Sequence, residues 1–164
     1  QITFDGLLTT SNLEAPPKPQ RAYTQVLRAG AVEAVASSLS RGQGDSWLIL
    51  PNIQAMVIRY ARVYAASLRA IGVEPPMAVF TSLLNVKGMK LLQDFNERAF
   101  PEDLPSVRLG DDQFHFVEAI FETIPSGDRE CARQLRVTLD HMANAAGLPE
   151  SPYFDAKGDY MLKI

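Results

Sequence analysis

The chain has little cysteine. Cys131 is the only one among 164 residues. An internal disulfide is therefore excluded, and no thiol cluster exists from which to build a zinc site. A reducing, cytoplasmic setting is the simplest expectation. Long apolar runs are also missing. The longest stretch without charge, 46–58, is interrupted by Pro51, Asn52 and Gln54. It falls well short of the roughly 20 apolar residues that cross a bilayer, so no membrane partner is expected. The first residues show no basic-then-apolar signal pattern. The net charge of −3 does not advertise nucleic-acid binding by the chain as a whole. No phosphate-cradling GxxxxGK[ST] loop, GxGxxG fingerprint, fixed-period repeat or low-complexity tract is present.

What is present is ordinary for a globular domain, 46% apolar and 21% charged residues in a chain long enough for one core. The charge is uneven. Residues 1–93 hold nine Lys or Arg against five Asp or Glu, whereas 94–122 hold two against eight. The first residue is Gln1 and a strand-like pattern begins at once. The expectation is a single domain, 1–164, taken from a longer protein.

Residues 2–8 read as a strand, and the three prolines within 11–20 as a loop. Residues 23–39 read as a hairpin turning at Arg28-Ala29-Gly30, with Gly30 at positive φ; a helix from Ala29 is the competing pattern. The spacing Ile53, Met56, Val57, Tyr60, Tyr64, Leu68, Ile71 predicts a helix burying that stripe, with Asn52 as its N-cap and Gly72 as its stop. Pro75 to Leu92 reads as a central hairpin, its strand Met77–Leu84 buried on both faces and its turn at Asn85–Gly88. Residues 94–104 read as an acidic loop. Val107–Leu109 and Gln113–Ile124 read as two further strands. A helix capped by Ser126 then buries Cys131, Leu135, Leu139, Met142 and Ala146, pairs Arg136 with Asp140, and ends at Gly147. A last strand is expected from Tyr160 to Ile164. Hairpins imply antiparallel pairing, so the predicted class is α+β, a mostly antiparallel sheet with two long helices packed on it.

Several side chains could bear chemistry. Arg59, Arg62 and Arg69 lie three and seven apart on a helix without acidic residues. With Lys87 and Lys90 they form the candidate nucleic-acid or phosphate-binding set. The competing reading is a solvated face or a partner for the acidic segment 94–112, and no exposed aromatics are expected between them to stack bases. Ser82 and Asn85 beside Lys87-Gly88 could bind an anion through turn amides, or simply suit a tight turn. Cys131, Asp140 and His141 suggest a nucleophile and base, but ten residues of helix separate the thiol from the imidazole by about 15 Å. Cys131 therefore reads as a buried structural residue. His115 and His141 lack ligand spacing. Glu33, Glu118 and Glu122 read as solvated carboxylates. No catalytic residue, metal ligand or cofactor is assigned.

Three runs, Arg28-Ala-Gly-Ala-Val-Glu33, Ser82-Leu-Leu-Asn-Val-Lys-Gly88 and Asn144-Ala-Ala-Gly147 with Ser151-Pro-Tyr-Phe-Asp155 after it, together resemble one known segment. It belongs to bacterial proteins that carry a Schlafen-type, AlbA-like putative DNA-binding or ATP-binding domain at the N-terminus, and lies downstream of that domain. The resemblance covers roughly 20–156. It implies a cytoplasmic bacterial regulator in which this piece is accessory, with any nucleotide site located elsewhere. The expected function is a non-catalytic accessory or assembly domain that packs against other domains of its own chain or forms a homodimer. The alternative is a DNA- or phosphate-binding module that uses the basic helix face.

Overall fold

A computed structural model of the chain describes residues 5–10, 22–37, 46–94 and 104–162. In chain order the elements are β1 (Gly6–Thr10), β2 (Ala22–Leu27), β3 (Ala31–Ala36), β4 (Trp47–Ile49), α1 (Leu50–Ala70), β5 (Met77–Val79), β6 (Ser82–Leu84), β7 (Lys90–Leu92), β8 (Ser106–Arg108), β9 (Gln113–His115), β10 (Ala119–Phe121), α2 (Asp128–Gln134) and α3 (Arg136–Ala145). The fold is α+β, with antiparallel pairing dominant and one parallel pair, β4 with β7.

The longest construction is an antiparallel ribbon. Its first arm is β5, β6 and β7; its second is β8, β9 and β10. Leu92 lies opposite Ser106, Lys90 opposite Arg108, Leu84 opposite Gln113, Ser82 opposite His115, Val79 opposite Ala119 and Met77 opposite Phe121. Backbone bonds bridge the gaps between these pairs, Leu109 N to Met89 O, Val86 N to Asp112 O and Phe116 N to Thr81 O, and Gln93 N to Pro105 O extends the ribbon past its last pair. Two one-residue irregularities cancel. Asn85, at φ 58°, is extra on the first arm, a left-handed position that asparagine tolerates better than most residues. The second arm has one extra residue within 116–118. Each irregularity would shift the alternation of side chains by one residue, and the pair restores it.

This corrects the expected central hairpin. Pro75–Leu92 does not fold back on itself; all of it is one arm, and its partner is 106–121. Asn85–Gly88 is a bulge and turn within that arm. Nor is Met77–Leu84 buried on both faces. Met77 and Leu83 are buried, while Ala78, Phe80, Ser82 and Leu84 are exposed, Phe80 at 78%. Absence of polar residues was a poor guide here, because the outer face is itself apolar. The expected strand Gln113–Ile124 is two short strands joined by the bulge, with Phe116, Ala119 and Phe121 inward and Val117 and Ile120 outward. The expected strand at 107–109 begins one residue earlier, at Ser106.

Helix α3 holds the bulge at Val117. Thr138 Oγ1 donates to the Val117 carbonyl at 2.8 Å, and the Val117 N–H donates to His141 Nδ1 at 3.0 Å. Both polar groups released from the strand ladder are thus paired. His141 also meets the Phe116 ring edge-on, 5.8 Å between centroids.

The first helix starts earlier than expected. Ile49 is its N-cap, without a side-chain cap bond, and Pro51 occupies the first turn, where its missing N–H costs nothing. Asn52 lies inside the helix rather than capping it. Gly72 does stop it: Gly72 N bonds Arg69 O and Val73 N bonds Leu68 O, the paired closure of a Schellman end. The buried face is rotated from the expected stripe. Leu50, Pro51, Ile53, Gln54, Ile58 and Ala65 are buried, whereas Tyr60 is 46% exposed and Ile71 is also exposed. A glutamine defines this face. Gln54 is 0% exposed, donates to Leu139 O at 2.8 Å and accepts from Ser151 Oγ at 2.9 Å.

The second helical stretch breaks at Leu135 into α2 and α3, yet Leu135 N to Cys131 O and Leu139 N to Leu135 O carry helical bonding across the break. Gly127, not Ser126, is the N-cap of α2. Ser126 lies one residue earlier and donates its N–H and hydroxyl to Glu130, which holds that carboxyl below its ordinary range. The predicted inner stripe of Cys131, Leu135, Leu139, Met142 and Ala146 is buried throughout. Gly147 closes α3 in the same way as Gly72 closes α1. It sits at φ 81°, and a Cβ there would come within 3.1 Å of Val107 on the ribbon.

The remaining predictions divide. The hairpin at Arg28–Gly30 forms between β2 and β3, with Gly30 at φ 81°, and β1 joins it. The first strand runs from Gly6 to Thr10 rather than 2–8; residues 1–4 lie outside the described residues. So do the proline loop 11–20 and most of the acidic loop 94–104. Of the expected last strand, 163–164 lie outside the described residues; among the described ones Tyr160 makes an isolated bridge with Phe154 around the turn Asp155–Gly158.

Two buried polar groups predict opposite responses. Gln54→Leu leaves the Ser151 hydroxyl without its acceptor and should lower stability by about 1–3 kcal/mol. The Tyr160 hydroxyl is buried without a hydrogen-bond partner, so Tyr160→Phe should be neutral or raise stability by about 1 kcal/mol. Urea denaturation of both variants measures the contrast.

Candidate functional site

The five basic candidates fall on two parts of the fold. Arg62 is committed: its Nε lies 2.5 Å from Asp128 Oδ1, tying α1 to the first turn of α2. Arg59 and Arg69 are exposed on α1 and make no ion pair among the described residues. Lys87 is exposed in the ribbon turn. Lys90 stands on β7 between Trp47 and Arg108 in cross-strand register, and Arg108 NH1 donates to Gly88 O at 2.6 Å. Sequence reasoning did not include Trp47 and Arg108; only the pairing of β4, β7 and β8 shows them in this row.

The helix rotation adds aromatics that the expected stripe had buried. Tyr60 stacks on Tyr64, 5.8 Å between centroids and 15° between planes, and Tyr64 OH shares a 3.0 Å hydrogen bond with Thr24 on β2. Tyr60 therefore stands exposed one residue from Arg59, which corrects the expectation of no aromatic among the basic residues.

In and beside the turn at Asn85–Gly88, three of the amides that could have met an anion are already donors within the ribbon. Val86 N, Gly88 N and Met89 N donate to Asp112 O, Leu109 O and Val86 O. Ser82 instead faces His115 across the ribbon, Oγ to Nδ1 2.8 Å, on an exposed face. His141 serves the Val117 bulge. The two histidines thus have separate structural partners, and among the described residues no group of three or more His, Cys, Asp or Glu is placed to hold a metal ion. Glu33 accepts from the Tyr23 hydroxyl, and that bond is the main reason the phenol is harder to ionise than usual. Glu118 and Glu122 are exposed on either side of Ile120.

Cys131 is a core residue. It is 0% exposed, and its thiol points at the Ile58 carbonyl, 3.3 Å away. Burial, with a smaller contribution from Asp128, pushes its pKa from 9.0 up to about 12. Asp140 is occupied by Arg136, Nε to Oδ2 2.7 Å, and by the Ser151 N–H, 2.8 Å. Arg136 also reaches Glu150 and lies 4.1 Å over the Phe154 ring. Cys131, Asp140 and His141 therefore have three unrelated sets of partners.

The most distinctive surface is the ribbon's outer face. Phe80, Leu84, Val117 and Ile120 are exposed there with Ala78 beside them, and the Ser82–His115 pair sits among them. No strand pairs with the free edges of β5, β6, β9 or β10 among the described residues. An apolar face beside unpaired strand edges is the usual chemistry of a protein contact surface. No helix among the described residues is long and apolar enough to cross a membrane. No protein-family model, curated protein or solved structure matches the chain.

The raised Cys131 pKa sets an expectation. Native protein at pH 8 should react with a thiol reagent only at the rate of unfolding. A group that folding keeps protonated stabilises below its unfolded pKa and loses that effect as pH rises. The Cys131 contribution should therefore fade between about pH 9 and 12. Thiol titration with and without urea, and melts across that range, test both points.

Proposed function

We propose that this chain is a non-catalytic accessory domain of a bacterial regulatory protein of the kind it resembles, and that it works by holding protein surfaces together. The observation that supports this best is Phe80, 78% exposed at the centre of an apolar ribbon face. A phenylalanine so exposed, with Leu84, Val117 and Ile120 around it, gains most by being covered. The cover would be another domain of the same chain or a second copy. Phe80→Ser should abolish self-association, or contact with the neighbouring domain, while leaving the melting temperature of the isolated chain nearly unchanged. Light scattering and a thermal melt of the same variant provide the test; retained association would sink the reading.

A specific observation favours a second reading, nucleic-acid binding by α1. Arg59 adjoins the exposed Tyr60, which stacks on Tyr64, and arginine beside a stacked aromatic suits a single strand. On this reading Tyr60→Ala and Arg59→Ala each weaken binding of a short oligonucleotide in low salt, and a titration followed by fluorescence anisotropy measures the loss. The ion pair of Arg62 with Asp128 leaves this face with less charge than expected, so the assembly reading is preferred.

A further inference from the structure

We infer that the outer face of the ribbon is covered by helix α1 of a second copy of this chain, in a head-to-tail contact. This rests on the assembly reading above and names the partner surface. The two surfaces complement each other in apolarity, charge and spacing. On the ribbon two exposed carboxylates, Glu118 and Glu122, stand beside the apolar residues and have no ion pair among the described residues. They flank Ile120 on the outward side of one strand segment and are about 13 Å apart if it is extended. Along α1 the exposed strip runs Arg59, Val63, Ala66, Ala70, with Arg69 beside it. Arg59 and Arg69 are about 15 Å apart along the helix axis.

Between Arg59 and Arg69 the strip presents only Val63 and Ala66, both exposed, and these small side chains leave room for the Phe80 ring between two arginines. Helix α1 contains no acidic residue. A ribbon meeting its own copy would bring Glu118 and Glu122 toward like charges, whereas the arginine strip neutralises them. The contact joins two different surfaces, so each copy has one of each, and association can continue into a ring or chain.

The test uses sedimentation equilibrium of the complete chain with two variants that each disable one surface. Wild type should associate beyond dimers as concentration rises, and less so at high salt. Val63→Asp, on the helix strip, and Phe80→Asp, on the ribbon, should each raise the dissociation constant at least about tenfold. Mixed in equal amounts, they should form a 1:1 dimer and nothing larger, because one intact ribbon meets one intact helix. Circular dichroism confirms that both remain folded. Should either fail to fold, the pair Arg59→Glu/Arg69→Glu and Glu118→Lys/Glu122→Lys replaces them, with association lost in each and regained on mixing. If Val63→Asp associates like wild type while Phe80→Asp does not, α1 is not the cover, and this inference falls while the ribbon reading stands. A wild-type chain that stays monomeric at every concentration overturns self-association altogether. A monomer whose shift with a short oligonucleotide is lost in Arg59→Ala also overturns it and assigns the helix strip to nucleic acid.

Discussion

A buried amide has to satisfy both of its ends where there is no water, and in this fold that amide is Gln54. Its NH2 group goes to the Leu139 carbonyl on α3, and its oxygen takes the Ser151 hydroxyl from the tail. Leaving either end unpaired would cost a sizeable fraction of a domain's net stability. The rotation of α1 about its own axis is therefore set by a polar residue. Ser151 in turn gives its N–H to Asp140, and Asp140 holds Arg136, which packs over Phe154. One chain of contacts thus orders the first helix, the third helix and the tail together.

The surface follows from that rotation. With Gln54, Ile58 and Ala65 inward, Arg59, Tyr60 and Val63 must point outward. The ribbon obeys an equivalent rule with period two. Its register decides which residues face the core, and the two compensating irregularities keep Met77, Leu83, Ala119 and Phe121 inward along its whole length. Thr138 and His141 anchor the second irregularity, so α3 fixes the ribbon's register as well as covering its inner side. What remains outside is an apolar face on the ribbon and an arginine strip on α1, the two surfaces on which the proposed contact rests.

The same packing gives the cysteine and the two histidines their partners. Cys131 lies deep in the core, and its thiol is held protonated by burial. His141 is a hydrogen-bond acceptor for a strand irregularity, and His115 is hydrogen-bonded to Ser82 on an open face. Each of these three groups has a local structural partner, whereas the large exposed side chains of the ribbon have none within the described residues.

Some features were legible because they depend on near neighbours alone. The Gly30 hairpin, the stops at Gly72 and Gly147, the inner stripe from Cys131 to Ala146 and the Arg136–Asp140 pair all rest on backbone freedom or helical spacing within a few residues. The α+β class follows from the same local signals. Strand partners are a different matter, because pairing 77–92 with 106–121 closes a loop whose length leaves no mark on either arm. The inward face of α1 was also hidden, since periodicity favoured a stripe through Tyr60 and Tyr64 and had no means of seeing that Gln54 would find both partners in residues far along the chain. The basic residues could be named from sequence, but their separation could not. Arg62 meets Asp128, Lys90 meets Arg108 and Arg59 remains open only once the helices and strands have packed. Local conformation was decided by the residues themselves, and surface character by which distant segments came to cover them.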